Sequence, residues 1–227
     1  MLAPPRAIVQ PVPGGDTADA LLAMVRFNGS DGHAHLAKLG QIPSNGSREP
    51  IADALHYLCI LHARQPSVIE LASTIGDRNA PRQWLLAGMQ AFAMERARLS
   101  QLAVAAGPVP PQRGGTNFEQ LVRQQREALL TLVRSDRRGC LVGTVAALLL
   151  DWSAIHDALN GMARRIGLDP FQRSSDWPSE AMTLDIVASL GEDPAMSRAL
   201  LFASQQLLAQ HRSFWDLLDA RHDARLR

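Results

Sequence analysis

Four side chains capable of acid–base or ligand chemistry fall on faces that their helices should bury: His62, Glu95, His156 and His211. A helix turns about 100° per residue, so spacing to apolar neighbours assigns each face. His62 falls between Leu55 and Leu58, on a stripe with Ile51 and Leu61. Glu95 lies near the centre of a stripe made by Trp84, Ala91, Leu99 and Leu102. His211 is central among Leu200, Leu207, Phe214 and Leu218, and His156 flanks Leu141, Val145, Leu148, Trp152, Leu159 and Ile166. A desolvated carboxylate needs a proton, a hydrogen-bond donor or a metal. Glu95 is therefore the candidate catalytic acid or base, and Glu95, His62, His156 and His211 are candidate ligands of one mononuclear metal. The plainer expectation is that these groups hydrogen-bond inside the protein and specify its packing, because a neutral imidazole offers one donor and one acceptor.

A second constellation, DALHYLCILHARQ, spaces His56, Cys59 and His62 at three-residue intervals. Around one straight helix His56 and His62 differ by about 120°, and along it by about 9 Å. They cannot close on one zinc together with Cys59. Asp53 and His56 could form an i,i+3 pair, with Asp53 pointing away from the main apolar stripe. Carboxylate-bridged di-iron bundles need two acidic–x–x–His pairs projecting inward from separate helices, and inside the expected helix bounds only Asp53 and His56 have that spacing, with Asp53 turned outward. That ligand pattern is absent.

Other polar signals are weaker. Gln125 falls on an apolar face and could fix helix register, and Asp151 sits at the margin of its stripe, where an arginine could pair with it. Ser153 and His156 are three apart, but no acidic residue is placed to orient the histidine. Neither PGGD nor RGGTN matches a phosphate loop or a dinucleotide fingerprint. The arginines of RSDRR (Arg134, Arg137, Arg138) and of the tail (Arg221, Arg225, Arg227) read as solvated helix ends.

The elements that must position these residues read as helices throughout. Long apolar-striped segments are expected near 81–106, 117–135, 139–166 and 194–220, with breaks rich in Pro and Gly between them. Shorter helices are expected over 16–27, from Pro50 to about Pro66, over 67–75 and over 179–190. The Gly-, Asn- and Ser-punctuated stretch 28–50 should be mostly loop, with one turn around His33 to Leu39. Asp16 or Thr17, Asn117 and Asp193 are the expected N-caps. The fold class is all-α: a helical bundle of several long amphipathic helices and short connecting helices. An irregular arm over 1–15 should precede a single helical domain over 16–227.

The 227 residues are 46% hydrophobic and 20% charged, a globular balance. A formal charge of +1 supplies no general attraction for nucleic acid or an anionic membrane. GCLVGTVAALLLDW is apolar for only a dozen residues before Asp151, which suits a buried helix better than a membrane span. Two cysteines without a CxxC pair, and no apolar leader at the start, point to the cytoplasm. The reading that needs fewest assumptions is a soluble helical scaffold or protein-interaction module without a cofactor, with a protein partner or self-association. The alternative is a metal-assisted oxidase or hydrolase, with a divalent metal held by the Glu/His set inside the bundle.

Overall fold

The computed structural model describes residues 17–41, 47–76, 81–109 and 115–226. The arm expected over 1–15 and the cap at Asp16 lie outside the described residues. Those described are overwhelmingly helical and contain no strand. The α-helices are α1 (Thr17–Asn28), α2 (Ala34–Gln41), α3 (Glu49–Leu58), α4 (Val68–Ile75), α5 (Arg82–Ala106), α6 (Gly115–Val133), α7 (Cys140–Arg165), α8 (Glu180–Leu190) and α9 (Pro194–Leu226). A 3-10 turn, Ser30–Gly32, joins α1 to α2, and a π-helical turn, Cys59–Ala63, extends α3.

Local chemistry sets most boundaries. Ser67 accepts from the backbone of Glu70 while the Glu70 carboxylate accepts from the Ser67 N–H, a capping box that starts α4 afresh beyond Pro66. Asp193 accepts from the N–H of Ala195 at 2.8 Å, capping α9 as its place before Pro194 suggests. α6 begins at Gly115, so Asn117 lies inside the helix and is not its cap. The stretch read as mostly loop contains the whole of α2. Its docking on α9, through His33 with Asp216 and His35 with Asp219, each at 3.0 Å, supplies what its punctuated sequence lacks.

α7 runs through the middle of the bundle, with α9 packed along it and α1, α2, α4, α5, α6 and α8 around it. Every α-helix contributes to one continuous hydrophobic core, in which Trp152, Trp215, Phe92 and Phe214 are the largest fully buried side chains. By length and composition alone α7 could cross a membrane, but 72% of its most apolar window is buried among the other helices. Apolar residues on all sides are what a central helix requires.

The α7–α9 crossing is tight. Ser204 donates to the Gly143 carbonyl at 2.9 Å, and a Cβ on Gly143 would overlap the Leu200 carbonyl. Alanine normally stabilises a helix interior by up to about 1 kcal/mol over glycine. Here the two helices would have to separate, so Gly143→Ala is expected to destabilise by about 1–2 kcal/mol net. Urea unfolding checks the sign, and a stabilised variant would mean that the crossing has slack.

Candidate functional site

Glu95 projects from α5 into the bundle and is 1% exposed. Its Oε2 accepts from the indole N–H of Trp152 at 2.9 Å, and its carboxylate lies 3.0 Å from His156 Nδ1. His156 Nε2 is 3.1 Å from the Asn160 amide nitrogen. That arrangement makes Nδ1–H the donor to Glu95 and Nε2 the acceptor, so both ring nitrogens are occupied. Asn160 also clasps the backbone of Phe171, whose ring packs against His156 at 4.7 Å. One chain of contacts thus ties α5, α7 and the segment after α7.

A second buried group is centred on Asp151. Its Oδ1 accepts from the Ser30 N–H and its Oδ2 from the Ser30 hydroxyl, both at 2.6 Å. His211 Nδ1 stands 2.7 Å from the same Oδ2, and Trp215 donates its indole N–H to Ser30 Oγ at 2.9 Å. A side chain at position 29 would strike Asp151 Oδ1 and the Val25 carbonyl, so Gly29 permits this approach. The partners expected for Asp151 were arginines; it holds a histidine and a serine. Ser30 sits on the carboxylate side of His211, which is the wrong end for a nucleophile activated by that imidazole.

Trp152 joins the two groups. Its ring meets Phe92 at 4.7 Å and His62 at 5.2 Å, and His62 meets His211 edge-to-face at 5.0 Å. His62 is carried on the π-helical turn, a local widening often associated with functional positions. The Nε2 atoms of His62 and His211 are buried without a hydrogen-bond partner. The four residues singled out by helical faces therefore lie along one buried strip as two pairs, Glu95–His156 and His62–His211. Among the described residues no group of three or more His, Cys, Asp or Glu side chains is arranged to hold a metal ion.

Asp53 does not point away as its place on the helical wheel implies. It is buried, 2.9 Å from Arg221 Nε and ion-paired with Arg225. Arg221 also stacks over Tyr57 and Phe118, at 5.3 and 5.2 Å from the ring centroids. The tail arginines Arg221 and Arg225 are thus structural, not solvated ends. They carry α9 about two turns beyond the expected stop. His56 bonds the Gly107 carbonyl at 2.7 Å and has no part in an Asp53 pair. Gln125 is buried as expected, with its Oε1 unpartnered. Ser153 is exposed and accepts from Arg173 at 3.1 Å.

A family model covers residues 25–226, nearly the whole described fold and every residue of both buried groups. The chain belongs to the family of unknown function DUF6975. No curated protein matches it.

Burial drives the His62 pKa well below its ordinary value, with His211 and Arg126 adding to the effect. His62 is thus neutral in the folded chain and takes a proton near pH 6.5 when unfolded. Below that pH the unfolded state binds the extra proton, so stability falls with falling pH. The contribution is complete above about pH 6.5 and is lost at about 1.4 kcal/mol per pH unit below it. Urea unfolding at pH 7 and pH 5 should show this slope in the wild type and a flatter one in His62→Phe. Parallel slopes would mean that water reaches the imidazole.

Proposed function

We propose that the chain is a helical scaffold that presents a preformed surface to another polypeptide. The carrying observation is that the carboxylates of Glu95 and Asp151 are already committed. Both oxygens of Glu95 and both of Asp151 are engaged by donors on other elements, and both nitrogens of His156 are used. A general base or metal ligand needs a free lone pair aimed at substrate or ion. Groups satisfied in this way instead fix helix register and keep the outer surface in shape. Free Cys59 and Cys140 suit work in a reducing compartment. Burial pushes the Cys59 thiol up to about 11, which makes it a poor nucleophile.

A second reading rests on the two unpartnered Nε2 atoms. His211 donates through Nδ1 to Asp151, as metal-bound histidines donate to a supporting carboxylate. Two imidazoles sharing one tetrahedral ion would have ring centres about 5 Å apart, close to the 5.0 Å between His62 and His211. They would supply two of four ligand positions, and the metal would then serve the oxidase or hydrolase chemistry.

One experiment separates the readings. The full chain is recovered from its own organism under native conditions, and mass spectrometry is combined with elemental analysis. The scaffold reading expects a polypeptide bound at fixed ratio and no stoichiometric transition metal. A stoichiometric metal that disappears in both His62→Phe and His211→Phe would overturn it in favour of the second. Nucleic-acid binding at about 0.15 M salt is expected to be weak in either case, since a formal charge of +1 neutralises few phosphates.

A further inference from the structure

The corner between α6 and α7 stands beside the start of α9, and two half-open clefts meet there. One, of about 310 Å3, has Ile75, Leu141 and Leu190 in its walls; the other, of about 540 Å3, reaches Arg198 and Phe202. They share Arg137, Arg138 and Met196 in their linings, so the two clefts adjoin and make one composite groove. Four arginines line it, Arg134, Arg137, Arg138 and Arg198, against Asp136 and Asp193. Arg134 has Glu127 at 3.9 Å. Among the described residues the guanidinium groups of Arg137, Arg138 and Arg198 hold no carboxylate. Phe202 is 45% and Ile75 44% exposed, so large apolar side chains stand open beside free cations.

We infer that this groove docks an acidic segment of a partner protein, with carboxylates on Arg137, Arg138 and Arg198 and a large apolar side chain against Met196 and Phe202. The inference rests on the scaffold reading and names the chemistry of its partner. Guanidinium forks match carboxylates in paired hydrogen bonds, and arginine beside an aromatic is the composition of binding hot spots. A compact inorganic anion would leave the apolar walls unused. A small organic ligand is normally enclosed over most of its surface, which a half-open groove does not do. A nucleic acid needs a longer basic track than one corner offers, and has no use for Ile75 or Phe202. A peptide that combines acidic and apolar residues uses both features.

The test uses the full chain and fluorescence anisotropy at about 0.15 M salt, where distant charges are screened. The probe is a labelled peptide of about fifteen residues alternating Glu pairs with Leu and Phe. Controls are the same peptide with Lys for Glu, the same with Ser for Leu and Phe, and single- and double-stranded oligonucleotides. The acidic–apolar peptide should bind most tightly of these. Arg137→Glu with Arg138→Glu should weaken it at least about tenfold, with thermal unfolding unchanged because both side chains are exposed. Phe202→Ser should weaken it at least about threefold in a chain that still unfolds cooperatively. No binding, equal binding of the Ser-substituted peptide, tighter binding of an oligonucleotide, or indifference to the arginine reversals would each overturn the proposal. The natively recovered complex separates the two levels of argument. A polypeptide partner retained by the arginine-reversed chain removes the groove but leaves the scaffold; a metal-loaded chain without a partner removes both.

Discussion

Asp151→Ala is expected to cost about 3–5 kcal/mol. Asp151 is 2% exposed and receives three donors: the Ser30 N–H, the Ser30 hydroxyl and His211 Nδ1–H. Truncation strands the Ser30 N–H, the Ser30 hydroxyl hydrogen and the His211 Nδ1–H without an acceptor, and each such buried group costs about 1–3 kcal/mol. It also unties three elements, because Ser30 precedes α2 and His211 sits midway along α9. Asp151→Asn keeps the volume and one accepting oxygen, but it sets an N–H₂ against one of the donors. Its cost should be smaller, about 1–3 kcal/mol. Urea or thermal unfolding at neutral pH measures both. Alanine and asparagine variants equal to wild type would show that water satisfies the freed groups. If asparagine alone is tolerated, geometry matters there more than charge.

Glu95→Ala should cost about 1–4 kcal/mol, from the cavity and from the stranded Trp152 N–H and His156. Glu95→Gln retains an oxygen for Trp152 and most of the volume, and should recover more than half of that loss. The pair also discriminates between roles. In a purely structural site the two variants differ in stability while metal content and partner binding stay as in wild type. In a metal or acid–base site both would abolish the chemical readout, however well glutamine folds. Equal and negligible stability changes would contradict a carboxylate that is 1% exposed and doubly bonded.

Most of the inward-facing polar side chains are legible in the sequence alone. Helical periodicity is local, and a polar residue centred in an apolar stripe has nowhere else to go; Glu95, His62, His156, His211 and Gln125 are all buried. The long helices and their Pro/Gly breaks were legible for the same reason, as was the Asp193 cap. Which of these side chains meet is settled by packing between helices distant in the chain. Glu95 finds His156 across 61 positions, Asp151 finds Ser30 across 121, and Asp53 finds Arg221 across 168. No local pattern carries those registers. Ser30 sits in a run of glycine, serine and aspartate with no periodicity, so nothing marked it as a ligand of Asp151. Asp53 was misplaced because a helical wheel assumes one wet face. α3 instead packs against α5 on one side and α9 on another, and nearly all of it is buried. α2 formed in a sequence punctuated like a loop because His33 and His35 anchor it to α9, and α9 ran on to Leu226 because Arg221 and Arg225 are held by Asp53. Burial of a face is decided within one helix, whereas pairing is decided by how several helices pack at once, which chain-local spacing does not encode.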